Sequence, residues 1–82
     1  MTMSLLEAPQ KVGLKIIDIA GGEGVRRRLF SLGFHKGDSI ECQAQGILGG
    51  PILIKNIRSG VTAAVGRGIA RKIQVEVMDG NP

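Results

Sequence analysis

Hydrophobic positions along this chain alternate over short runs, are interrupted by glycine, and adopt a helical spacing in one place. Lys11 to Ala20 alternates well enough for a strand, with Leu14, Ile16 or Ile17, and Ile19 as inward candidates. Asp38 to Gln45 has the cleanest alternation, placing Ile40, Cys42 and Ala44 on one face and Ser39, Glu41, Gln43 and Gln45 on the other. Ile52 to Ile57 and Val61 to Val65 predict two more strands, turned about Arg58-Ser59-Gly60, and Lys72 to Met78 predicts a last one with Ile73, Val75 and Val77 inward. Gly66 to Ala70 is long enough for a single 3₁₀ turn. The lead before Pro9 offers one apolar pair, Leu5 and Leu6, which either frays or packs as a short turn.

The helical stretch is Glu23 to Leu32. At about 100° per residue Val25, Leu29 and Leu32 share one face, which should meet the sheet. Arg27 then points to solvent, Arg26 and Arg28 flank the apolar stripe with their stems along its edge, and Phe30 is partly covered near Arg26. Gly33 stands where a left-handed residue ends a helix, and Phe34 beyond it can reach Leu29, the pairing of a Schellman stop. His35-Lys36-Gly37-Asp38 follows as a turn whose third-position glycine suits type II. The glycines Gly21, Gly22 and Gly24 before the helix lack the lysine and hydroxyl of a phosphate loop, so they read as a flexible strand-to-helix turn.

Five strands, one inserted helix and a one-turn element predict a mainly β fold, a small, partly opened five-stranded barrel of the SH3 type. A ferredoxin-like fold would need a second full helix. With 82 residues the chain is one domain, 1–82, with its core between about residues 5 and 78, and two phenylalanines without Trp or Tyr make that core aliphatic.

Charge changes the picture modestly. Eleven Lys and Arg against seven Asp and Glu give +4 and an isoelectric point near 9.9, which favours an acidic partner, a nucleic acid or an anionic membrane face. Nucleic acid is not expected, because single-strand binders add stacking aromatics that this chain lacks. Cys42 has no second cysteine to pair with, as suits a reducing cytosol, and the start Met-Thr-Met-Ser-Leu-Leu-Glu has no basic leader.

Candidate chemistry is sparse. For a metal, His35, Asp38, Glu41 and Cys42 are the available side chains, but no pair has ligand spacing, and neither a metal nor another cofactor is assigned. With a single histidine and scattered carboxylates no nucleophile and base can be paired, so no enzymatic activity is expected. The run Arg26-Arg27-Arg28 reads first as a solvated helix face, next as a dock for an acidic protein surface through bidentate guanidinium contacts, and last as an arginine finger acting in trans. His35 and Lys36 adjoin it. Ile47 and Leu48, at a hairpin tip between Gly46 and Gly49, form a second candidate partner contact.

Arg28-Leu29-Phe30-Ser31-Leu32-Gly33-Phe34-His35-Lys36-Gly37-Asp38-Ser39-Ile40, then Gly49-Gly50-Pro51-Ile52, Val65-Gly66, Ala70 and Ile73-Gln74-Val75, together resemble the FeoA family of bacterial ferrous-iron transport accessory proteins. The resemblance spans roughly Leu5 to Val77, and the late turn departs from it in being richer in glycine, at Gly66 and Gly68. It implies an SH3-like cytosolic accessory that works with a membrane Fe²⁺ permease carrying a cytosolic GTP-binding domain. On that reading Arg26, Arg27, Arg28, His35, Lys36, Ile47 and Leu48 are the expected partner-binding residues, and the location is cytoplasmic, at the inner face of the plasma membrane through the partner. The same fold also resembles the C-terminal domain of iron-dependent repressors, whose helix-turn-helix and dimerisation segments this chain lacks. The competing expectation is a stand-alone SH3-like regulatory or nucleic-acid-binding module.

Overall fold

The computed structural model describes residues 1–46 and 49–78. Its strands are β1 (Met3–Ser4), β2 (Gly13–Ile19), β3 (Ser39–Gln45), β4 (Ile52–Asn56), β5 (Thr62–Val65) and β6 (Ile73–Val77), with helices α1 (Glu23–Ser31) and α2 (Arg67–Ala70). The strands form one antiparallel sheet in the order β1-β6-β2-β3-β4-β5, curled about a single core as in an opened SH3-type barrel. Leu14, Ile16, Ile40, Cys42, Ile52, Ile54, Ile73 and Val75 fill that core from the strands, and Leu29 and Phe34 close it from the helix side. All of these are aliphatic except Phe34 and Cys42, as the composition requires.

Several features differ from the sequence expectation. A sixth strand exists: Met3 and Ser4 pair with Val75 and Gln74, and the 3₁₀ turn Leu5–Glu7 after them buries Leu5 completely. Ser4 accepts a hydrogen bond from the Leu6 amide at 3.0 Å, capping that turn and choosing packing over fraying. Ala44 faces outward instead of inward, because the β3–β4 register shifts between Cys42 and Ala44 and the extra residue reverses the alternation. In β2, alternation from Leu14 makes Ile16 the inward residue, and a similar shift between Ile16 and Asp18 leaves Ile17 half-buried and turns Ile19 inward. Val77, expected inward, is 45% exposed at the end of β6, although its cross-strand partner Leu14 is buried.

The helix stop forms as expected, and it displaces Leu32. The Phe34 amide donates to Leu29 O at 2.9 Å and the Gly33 amide to Phe30 O at 3.0 Å, with Gly33 at φ 101°: the two bonds of a Schellman motif. Reversal at Gly33 brings Phe34 under the helix, so Phe34 takes the buried place and Leu32 is left 37% exposed. The turn after it also forms, with Asp38 N donating to His35 O at 3.1 Å and Gly37 at φ 96°. Gly66 caps not a 3₁₀ turn but a single α-turn, whose Ala70 is buried. The 46–51 hairpin closes through Gly46 N donating to Pro51 O at 2.9 Å, and its tip, Ile47 and Leu48, lies outside the described residues.

Candidate functional site

Helix α1 begins after Gly21 and Gly22, both at positive φ, which turn the chain sharply out of β2. Leu29 anchors the helix on the core, with Val25 half-buried behind it. Glu23, Arg26, Arg27 and Phe30 stand at i, i+3, i+4 and i+7, so the spacing that fixes a buried stripe also fixes this outer one.

That outer stripe is one wall of an open cleft of about 560 Å³. The opposite wall is Asp18 and Ile19 at the end of β2, with His35 and Lys36 from the turn after α1. Arg26 is held across the cleft floor, its Nε donating to Ile19 O at 3.3 Å. Arg27 reaches back to Glu23 at 4.0 Å, an exposed pair that leaves its guanidinium available to other acceptors. Lys36 adds a third cation.

His35 is positioned with more precision than a solvated turn residue needs. Its Nδ1 lies 2.8 Å from Asp38 Oδ1, its backbone amide donates to Asp38 Oδ2 at 2.8 Å, and its ring stands 6.0 Å from that of Phe30. Asp38 is held in turn by Asn56, whose Nδ2 donates to Asp38 Oδ2 at 3.2 Å and to Gly33 O at 3.0 Å. The other end of that amide, Oδ1, accepts from the Arg58 and Ser59 amides at 3.1 and 3.3 Å. Asn56, 5% exposed, thus ties the helix stop, the His35–Asp38 turn and the β4–β5 turn together. Beyond the ridge made by Phe30 and His35 lies a second groove of about 500 Å³, lined by Gly33, Asn56, Arg58 and Val61 among others.

Of the expected partner-binding residues, Arg26, Arg27, His35 and Lys36 line one cleft. Arg28 does not line it and is exposed. Phe30, expected to be partly covered, is 64% exposed, because it lies on the cleft face and not over the core. Sequence reasoning missed Phe30 as a contact residue and Asn56 as an organiser. The 23/26/27/30 spacing signalled the first; nothing local signalled the second, whose partners are up to 23 residues away.

Among the described residues no group of three or more His, Cys, Asp or Glu is placed to hold a metal ion, and no helix is long and apolar enough to cross a membrane. Cys42 is fully buried, and burial pushes its thiol pKa up, favouring the neutral form. The cleft's chemistry is that of recognition, with guanidinium groups that suit carboxylates beside an exposed ring that suits an apolar side chain.

Comparison with known proteins agrees with this architecture. A crystal structure of an iron uptake regulatory protein (FeoA) superposes with a TM-score of 0.82 at 29% identity, over 95% of this chain and 99% of the other. An NMR structure of a FeoA-like protein from Clostridium acetobutylicum gives 0.80 at 26% identity, over 99% and 92%. A manganese-dependent transcriptional repressor in complex with manganese gives 0.83 at 19% identity, over 94% of this chain but 37% of its own, which shows the shared fold alone. No curated protein sequence matches. The family model of the FeoA domain matches residues 3–77, and the chain belongs to the FeoA domain family.

Proposed function

We propose that this protein is a non-enzymatic accessory of ferrous-iron uptake that docks on the cytosolic region of a GTP-binding Fe²⁺ permease and modulates its transport or assembly. Membership of the FeoA family supports the iron-uptake role. The observation that carries the docking site is the convergence of Arg26, Arg27, His35 and Lys36 on one open cleft beside an exposed Phe30. Such a cleft fits a partner segment that offers one or two carboxylates next to an apolar side chain. This reading places the protein in the cytoplasm, at the membrane through its partner, and requires no cofactor.

The test is a pull-down with membranes that contain the permease, using wild type and the triple variant Arg26→Ala, Arg27→Ala, Lys36→Ala. Loss of even one charge-assisted contact is enough for about a tenfold drop in affinity, so the variant should be retained at least about tenfold less strongly, and wild-type retention should be the more salt-sensitive of the two. An unchanged thermal midpoint in the variant would attribute the loss to the cleft. Equal retention of wild type and variant would exclude this cleft as the dock.

A regulatory module is the second reading, favoured by the fold shared with a manganese-dependent repressor. A salt-sensitive shift with generic DNA at near-physiological salt would support it.

A further inference from the structure

Strand β5 is the outer strand of the sheet, hydrogen-bonded to β4 on one side. Asn56 N donates to Val61 O at 2.8 Å, which sets the phase of the ladder. Ala63 and Val65 therefore turn their backbone groups toward β4, as Val61 does its carbonyl, while Thr62 and Ala64 turn theirs to the open side. Exposed strand edges are commonly blunted by a charged side chain, a proline or a bulge. The β5 sequence, Thr-Ala-Ala-Val, has neither charge nor proline, and its register with β4 is unbroken. Its outward neighbours Ala64 and Leu53 pair across the two strands and are both exposed. The opposite edge, β1, is two residues long.

Charge around this edge is one-sided. From Cys42 to Val75 the sequence contains no Asp or Glu and carries Lys55, Arg58, Arg67, Arg71 and Lys72. Lys55 pairs with Thr62, Arg58 lies in the turn before β5, and Arg67 begins α2 two residues after it. Glu41, the cross-strand partner of Lys55, lies on β3, on the side of β4 away from β5.

We infer that the open edge of β5 binds an extended acidic peptide segment of a protein partner as an added antiparallel or parallel strand. Backbone groups of Thr62 and Ala64 supply the pairing, and Lys55, Arg58 and Arg67 meet carboxylates that project along the added strand. A second copy of this chain fits less well: pairing β5 antiparallel with itself brings Arg58 of one copy toward Arg67 of the other. Arg58 lines the groove behind Phe30 and His35, whereas Ala64 and Arg67 line neither groove, so the Ala64 variant separates this site from the α1 cleft.

The probe is a ten-residue peptide alternating glutamate with valine or threonine, added to isotope-labelled protein, with a lysine-containing peptide of the same pattern as control. Amide signals of Thr62 and Ala64 should shift, and their exchange with solvent should slow by at least about tenfold, while the lysine peptide leaves them unchanged. Ala64→Pro removes an outward amide at a position where an edge strand tolerates proline, and it should weaken binding by about tenfold or more. The double variant Arg58→Glu, Arg67→Glu should weaken it similarly, and it tests the site even where the proline variant fails to fold. Shifts confined to the α1 cleft, undiminished binding by both variants, or dimerisation through β5 without peptide would each overturn the inference.

Discussion

Leu29→Ala is expected to lower the unfolding free energy by about 2–5 kcal/mol, the range for truncating a fully buried leucine, and so to reduce the thermal midpoint by about 10–30 °C in a domain of this size. Leu29 has no exposed surface and is the buried residue of α1, a helix of nine residues. A helix that short does not hold together in water by propensity, so its order comes from docking. The carbonyl of Leu29 also accepts from Leu32 N at 3.0 Å and Phe34 N at 2.9 Å, so the helix stop is built on the residue that anchors the helix. Weaker seating of Leu29 would loosen Arg26, Arg27 and Phe30 with it. Leu29→Met, which conserves volume, should cost less than about 1.5 kcal/mol. Thermal unfolding followed by circular dichroism checks both variants.

The second large effect is expected at Asn56. Replacement by alanine removes one amide that donates to Gly33 O and Asp38 Oδ2 and accepts from two turn amides. Gly33, Arg58 and Ser59 are exposed and their backbone groups can turn to water, whereas the Asp38 side chain is 17% exposed and loses a donor. A loss of about 1–3 kcal/mol follows, the cost of an unmatched, largely buried polar group. Asn56→Asp, nearly the same shape, should be at least as damaging, because it sets a second carboxylate against Asp38 and an acceptor against Gly33 O. In both variants the His35 and Asp38 amide signals should broaden or move, since their turn loses its tie to β4. Chemical denaturation and amide spectra read the two effects separately.

What the sequence made legible follows from how local each determinant is. The Schellman stop at Gly33 and Phe34 and the type II turn at Gly37 are written within four or five residues, and both form. Strand parity was readable up to each bulge: past Cys42 the alternation continues in the sequence, but the added residue turns Ala44 outward. The outward displacement of Leu32 was hidden because helical spacing holds only while the helix continues, and Gly33 ends it. The sixth strand rests on two residues that pair with Val75 and Gln74, some 70 positions away, with no periodicity of their own. Of the candidate site, the cations were visible as a run, and the structure separates them. Arg26 and Arg27 face the cleft and Arg28 does not, and His35 joins the cleft through the Asp38–Asn56 chain that no local pattern announces.

The docking cleft is most directly tested by mapping amide chemical shifts of labelled protein as the cytosolic region of the permease is added. The account predicts the largest changes at Arg26, Arg27, Phe30, His35 and Lys36, and their loss in the triple cleft variant. Binding that leaves these five signals unmoved while other surfaces shift would contradict it.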